Sequence, residues 1–105
     1  MVNYSVILCT TNTQESAKTI AKTLVKEKLC AWTNIIPSIT SIYSWKDNLE
    51  EDLEVLMIIK SKTELFDKIE KRIKELHPYE VPEIISIDIS KGSKAYLDWI
   101  NKNTI

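Results

Sequence analysis

One stretch of this sequence specifies the architecture more than any other: residues Ile35–Lys60, IIPSITSIYSWKDNLEEDLEVLMIIK. Its two arms, Ile35–Trp45 and Leu49–Lys60, follow the period of two that is typical of β-strands. Between them lies Asp47-Asn48, a pair of residue types that tolerate the positive backbone angles of a tight turn. We therefore predict a long antiparallel β-hairpin in the middle of the chain.

The second arm of this hairpin carries apolar side chains on both faces near its end. Leu56 and Ile58 lie on the face opposite to the main apolar residues of the arm, which are Leu53, Val55, Met57 and Ile59. A strand with apolar residues on both faces is typically covered on both sides. We therefore expect this end of the hairpin to be covered on both sides.

Two further strands are predicted outside the hairpin. Tyr4–Thr10 is a short run rich in Val, Ile and Leu, and a polar cluster ends it. Glu83–Ile89 alternates isoleucines with other residues, which is typical of a strand.

A first helix is predicted between the first strand and the hairpin. Its start is marked by Asn12 with Glu15 three residues on, or by Thr11 with Gln14, since either pair can cap a helix. Apolar residues at three-and-four spacing then extend it to about Leu29.

Two more helices follow the hairpin. Ser61 with Glu64 matches a capping box, and the second helix should end before Pro78, because the proline ring disfavours helical geometry at the preceding residue. Ser93 can cap a short terminal helix. The order strand, helix, strand, strand, helix, strand, helix predicts an α+β fold: a ferredoxin-like βαββαβ sandwich with an additional C-terminal helix, in one domain spanning residues 1–105.

The predicted hairpin is too long for a lone subunit of this size. A compact domain of this length has a diameter of roughly 33 Å, whereas an arm of about 12 residues spans roughly 40 Å. Its distal half carries large apolar residues, Ile42, Tyr43, Trp45 and Leu53. Exposed strand edges and apolar groups of this kind require a cover, so we predict an oligomer.

Composition excludes several classes of partner. The 14 basic and 15 acidic residues give no basic excess, so a nucleic-acid partner is not expected. No apolar run approaches the roughly 18 residues needed to span a bilayer, and the amino terminus lacks a basic signal region, so we predict no membrane partner and a cytoplasmic location. Cys9 and Cys30 are expected as buried thiols.

Catalytic motifs are absent from the sequence. It contains no glycine-rich phosphate loop, no nucleophile elbow, no HExxH and no CxxC. One histidine beside carboxylates of unknown position does not make an acid–base pair. We therefore predict that the protein is not an enzyme.

Several segments, taken in order, resemble those of the CutA divalent-cation tolerance proteins. The resemblance covers nearly the whole chain, and its most specific piece is His77–Ile85, HPYEVPEII. The other pieces are Leu8–Thr11, Leu29–Pro37, Tyr43–Trp45, Glu54 with Lys60, and Tyr96–Ile100. The resemblance implies a ferredoxin-like subunit, a tight homotrimer joined through the long hairpins, and a link to tolerance of copper or other divalent cations.

The resemblance implies two possible kinds of binding function, and a third hypothesis is a stable assembly partner that binds no small ligand. One is a non-enzymatic homotrimer that binds a divalent metal ion. The alternative follows from the likeness of such trimers to PII-type signalling proteins, which bind small ligands between subunits. In that case the clefts would hold an anionic metabolite or nucleotide through Lys60 and His77.

The candidate metal ligands are His77 and Cys9, because copper prefers imidazole and thiolate. His77 is the only histidine, and it could instead cap the last carbonyls of the second helix. Cys9 could instead be a small buried apolar residue. No metal is expected to be required for folding.

The family pattern implies pocket or interface roles for Trp45, Glu54, Lys60 and Tyr79, and Trp99 is a further candidate. We expect Trp45 and Trp99 to be packing anchors rather than substrate platforms, although an intersubunit cleft would place their rings where a ligand could stack. Glu54 and Lys60 could pair with each other or with a neighbouring chain.

One position departs from the family pattern. The second cysteine of the family usually lies five residues before the proline of the Leu29–Pro37 run, and here that position is Trp32. An indole cannot ligate a metal, and Cys30 lies two positions earlier. Trp32 therefore argues against a two-cysteine metal site. The acidic hairpin tip, Asp47–Glu54, could gather cations, but it lacks the glycine and ligand series of a calcium loop, and we predict a solvated turn.

Overall fold

The long hairpin and the strand that follows the amino terminus build one antiparallel sheet. The computed structural model describes residues Met1–Ile105. The strands are β1 (Tyr4–Thr11), β2 (Trp32–Trp45), β3 (Asn48–Lys62) and β4 (Ile84–Asp88), and the helices are α1 (Gln14–Lys26), α2 (Phe66–Leu76) and α3 (Lys94–Lys102). The strands lie in the order β2-β3-β1-β4. The predicted α+β fold and element order are confirmed for the single chain.

The hairpin is as long as the alternation indicates. Its strands have 14 and 15 residues, and the molecule extends 44 Å along its longest axis against 26 and 23 Å along the others. The turn lies one residue earlier than predicted: Trp45 pairs with Asn48, and Lys46 and Asp47 have φ angles of 51° and 65°. Positive φ at both central residues is the geometry of a type I′ turn, whose twist matches that of the strands.

The core lies between one face of the sheet and helices α1 and α2. Each of these elements contributes side chains with no exposed surface: Ile7, Cys9, Met57 and Ile59 from the strands, and Ile20, Leu24, Ile69 and Ile73 from the helices. The strand residues have odd numbers because the strand period of two sends them all to this face.

The opposite face of the sheet is only partly covered. Trp32 pairs with Lys60 on that face, and the Trp32 ring meets the ring of Trp99 from α3 at 5.5 Å between centroids. Helix α3 therefore packs at the base of the hairpin. Ile85 and Ile87, farther along this face, stay about half exposed. None of the helices is both long and apolar enough to cross a membrane.

The start of α1 differs from the prediction. Thr13, rather than Asn12 or Thr11, caps the helix: its Oγ1 accepts a hydrogen bond from the Ser16 N–H at 3.0 Å. Thr11 is fully buried and instead hydrogen-bonds the Ser16 hydroxyl at 2.8 Å. The helix ends at Lys26 rather than near Leu29.

The capping box predicted at Ser61 is wrong. Ser61 lies inside β3, is fully buried, and donates to the Leu29 carbonyl at 2.6 Å. A 3₁₀ turn, Thr63–Leu65, separates it from α2, which begins without a side-chain cap. By contrast, the predicted cap at Ser93 is confirmed, because its Oγ accepts from the Tyr96 N–H at 3.2 Å.

The cap of α1 gives a direct test of this assignment. Thr13→Ala should lower the free energy of unfolding by about 1 kcal/mol, because the Ser16 N–H then loses its acceptor. Asn12→Ala, the matched control from the other predicted cap, should change it by less than about 0.5 kcal/mol. Guanidinium unfolding followed by circular dichroism at fixed protein concentration measures both. A larger loss in Asn12→Ala than in Thr13→Ala would contradict the assignment.

Candidate functional site

A cleft opens between the distal half of the hairpin and the segment that joins α2 to β4. Its volume is about 680 Å³, and its lining includes Thr10 of β1 and Asn12, which follows this strand. The hairpin contributes the stretches 41–45 and 52–54, and the connecting segment contributes Tyr79, Glu80, Val81 and Glu83. The cleft therefore draws on three parts of the chain that are distant in sequence.

His77 fixes the connecting segment against the sheet. Helix α2 ends at Leu76. The His77 ring then lies 2.6 Å from the Thr10 carbonyl through Nε2, and its Nδ1 accepts the Tyr79 N–H at 3.1 Å. Since Nδ1 is an acceptor, Nε2 carries the proton and donates to Thr10. The side chain thus does not cap α2, and neither ring nitrogen has a free lone pair in this conformation.

Two tyrosine–carboxylate pairs stand in the cleft. The Tyr79 hydroxyl donates to Glu54 Oε2 at 2.7 Å, and the Tyr43 hydroxyl donates to Asp52 Oδ2 at 2.5 Å. Burial, and then the bond to Glu54, raises the pKa of Tyr79 well above its usual range. The hydrogen bond to Asp52 raises the pKa of Tyr43 to about 12. Both hydroxyls therefore stay protonated and act as donors at neutral pH.

The charge of the cleft is negative. Its lining includes the carboxylates of Asp52, Glu54, Glu80 and Glu83 and no lysine or arginine. Glu54 is only 9% exposed and forms no salt bridge within the chain. A cleft with one sign of charge concentrates ions of the opposite sign, so this one attracts cations.

Cys9 lies behind the cleft rather than in it. Its side chain is fully buried in the core. Burial raises the pKa of the Cys9 thiol to about 12, and the charges of Glu83 and Glu54 act in the same direction. Burial also raises the pKa of Cys30. Both thiols are therefore protonated at neutral pH, and no group of three or more His, Cys, Asp or Glu residues converges within the chain.

Lys60 and Trp99 belong to a different part of the molecule. The Lys60 ammonium donates to the Asn34 side chain and lies 5.8 Å from the centre of the Trp32 ring, which contacts Trp99. The suggested pairing of Lys60 with Glu54 within one chain does not occur, because each has another partner. Trp32, at the position of the family's usual second cysteine, is part of this aromatic cluster.

The structure thus brings together Trp45, Glu54 and Tyr79, with His77 supporting them, and separates them from Lys60 and Trp99.

Sequence analysis missed Tyr43 and Asp52 as lining residues. A signal for both was present: Tyr43 precedes Trp45 by two residues and Asp52 precedes Glu54 by two, so the strand period places each on the face of its neighbour. Glu80 and Glu83 lie in the segment between α2 and β4, where no such period applies.

Comparisons with known proteins agree on one family. The model of the CutA1 divalent ion tolerance protein family matches residues 5–103. The divalent-cation tolerance protein CutA of Thermus thermophilus is 48% identical over 94% of this chain and 96% of its own length. Protein CutA of mouse is 43% identical over 87% of this chain, which spans only 51% of the mouse protein.

Comparison with a solved structure supports the same family assignment. The divalent cation tolerance protein CutA1 from Thermus thermophilus superimposes with a TM-score of 0.95 at 47% identity, covering 97% of this chain and 99% of that one. These comparisons favour the divalent ion tolerance family over the PII-like alternative.

The Tyr43–Asp52 pair makes a titration prediction. Asp52→Asn should bring the pKa of Tyr43 down from about 12 toward its ordinary value near 10, because the amide carries no charge to oppose phenolate formation. Since the folded-state pKa is raised, the pair stabilises the fold below about pH 10, and this contribution is lost as the pH rises from 10 toward 12.

Tyrosine absorbance at 295 nm between pH 8 and 13 measures this, with Tyr43→Phe to assign the signal. Glu51→Gln, which removes a charge from the same strand outside the cleft, is the control and should leave the curve unchanged. Superimposable curves for Asp52→Asn and the parent protein would refute the assignment.

Proposed function

Because this chain belongs to the CutA1 divalent ion tolerance protein family, we propose that it is a non-enzymatic homotrimer that binds divalent metal ions, copper in particular. The observation that carries the proposal is the family match over residues 5–103. The acidic cleft supports it, since a cleft lined by carboxylates without lysine or arginine favours a cation over an anion. Lys60, on which the anion-binding alternative depends, lies outside this cleft.

The trimer part of the proposal is supported by the hairpin. Ile42 and Leu53 are 65% and 72% exposed in the single chain, and Leu49 at the tip is 82% exposed. Strand β2 is also an edge strand, whose outer backbone groups have no partner within the sheet. A second and third copy of the chain would cover both features.

A cytoplasmic location stays a prediction, since relatives include proteins named as chloroplastic and as periplasmic.

His77 and Cys9 are the proposed copper ligands, because imidazole and thiolate are the donors that copper prefers. Binding has a structural cost: His77 must give up its bond to Thr10 or to Tyr79, and Cys9 must lose a firmly held proton. Since one chain brings no three such ligands together, the remaining coordination would come from a neighbouring subunit or from water. Copper binding should therefore loosen the segment that His77 holds.

Sedimentation equilibrium tests the trimer. At micromolar concentration we expect a mass near three times the 12.1 kDa of the chain. Leu53→Asp should weaken association, because it places a charge in the apolar surface of the hairpin. Lys71→Asp, on the exposed face of α2, is the control and should leave the mass unchanged. A parent protein that sediments near 12.1 kDa would exclude the trimer.

Calorimetric titration with Cu²⁺ tests the metal ligands. His77→Ala and Cys9→Ala should each weaken binding by at least about tenfold or lower its stoichiometry, because a direct ligand is worth no less than a supporting group. Tyr79→Phe retains His77 and removes only the hydroxyl bonded to Glu54, so it should bind copper like the parent. Identical isotherms for the parent and His77→Ala would remove His77 from the site.

A further inference from the structure

Strand β2 presents a long edge without charge. It forms one edge of the sheet, and its 14 residues, Trp32–Trp45, include no charged side chain and no glycine. The carboxylates on the strands of the hairpin all lie on β3, one strand in from this edge. An edge strand has unpaired backbone N–H and C=O groups along its outer side, so a long, uncharged edge is a template for pairing with another chain.

The two edges of the sheet are protected differently. Strand β4, at the other edge, has only five residues, Ile84–Asp88, and ends on a charged residue. Short length and charge are two of the features by which edge strands avoid pairing between chains. Strand β2 has neither, so any protection of this edge must come from another feature.

One irregularity interrupts β2. The register against β3 shifts between Ile36 and Ile39. Pro37 and Ser38, both exposed, therefore lie opposite the single residue Val55, which is the arrangement of a β-bulge. A bulge bends its strand and increases the local twist. Pro37 also lacks the N–H group that an added strand would need.

The bulge divides the β2 edge into two parts. The inner part is Trp32–Ile36, and the outer part is Ile39–Trp45. A partner strand that pairs with one part is carried out of line with the other, because the bulged strand bends between them. The full length of β2 therefore does not act as one continuous template.

We propose that the Pro37–Ser38 bulge restricts pairing of the β2 edge between copies of this chain, so that assembly closes as a discrete oligomer instead of extending into open sheets. Contacts that close give a defined number of subunits, whereas contacts that do not close give filaments. The pairing that the bulge opposes is with the β2 edge of a second copy, which is equally uncharged and equally rich in residues that favour strands. The proposal rests on the trimer proposed above only in taking a discrete oligomer as the state of the parent protein.

Deletion of Ser38 combined with Pro37→Thr tests the proposal. The deletion leaves one residue opposite Val55 and keeps the pairs on either side, and threonine restores the missing N–H. Sedimentation velocity should then show a shift from the discrete parent species to larger species that grow with protein concentration, together with a gain in thioflavin T fluorescence. Ser38→Ala keeps both the extra residue and the proline, so this matched control should sediment like the parent.

A second change separates edge pairing from misfolding. Thr40→Lys, added to the bulge-free variant, places a charge on the exposed outer part of the edge and should return the protein to discrete species, because an edge lysine opposes pairing between chains. The pKa of Tyr43, which its bond to Asp52 raises to about 12, should persist in this variant, since β2 still pairs with β3.

Three results would overturn the proposal. The first is a bulge-free variant that sediments like the parent. The second is the persistence of the larger species after Thr40→Lys, which indicates misfolding rather than edge pairing. The third is the appearance of the same species in Ser38→Ala. A parent protein that sediments as a single chain would exclude the trimer, but comparison of the parent with the bulge-free variant would still decide this proposal.

Discussion

Strand β3 is paired along its whole length, and both the core and the cleft depend on that pairing. In its carboxyl-terminal half, Leu56–Lys60 pair with both β1 and β2, whereas its amino-terminal half, Asn48–Glu54, pairs with β2 alone. The inner half sends Met57 and Ile59 into the core. The outer half carries Asp52 and Glu54 into the cleft. One continuous strand thus joins the core to the cleft.

The cleft is completed by polar contacts rather than by apolar packing. Segment 77–83 has no regular secondary structure, and its position depends on His77 at the Thr10 carbonyl and Tyr79 at the Glu54 carboxylate. Both contacts connect this segment to strands that the core already holds in place. Loss of either contact would therefore free the segment from one of these strands.

Local sequence patterns predicted which helices and strands form more accurately than they predicted where each one begins and ends. The alternation in β2 and β3 identified the hairpin because every second residue must face the same side of a sheet. The turn lies at Lys46-Asp47 rather than at Asp47-Asn48, because the register of β2 against β3 pairs Trp45 with Asn48. Ser61 with Glu64 matched a capping box, yet Ser61 is needed inside β3, where its hydroxyl satisfies the Leu29 carbonyl. The pattern at Ser93 gave the correct cap because no strand competes for that residue.

The order of strands and helices, the overlong hairpin and the family resemblance all follow from the sequence, since each depends on periodicity or on residues close together in the chain. The set of side chains that lines the cleft does not follow from the sequence. Glu54 meets Tyr79, and Thr10 meets His77, across 25 and 67 residues, and those encounters exist only once β3 lies beside β1. Lys60 and Glu54 lie on one face of the same strand, but they are six positions apart, about 20 Å at the rise of an extended strand, so they do not meet within one chain. Which charges meet is therefore a consequence of strand register, and that is why the negative charge of the cleft became visible only in the folded molecule.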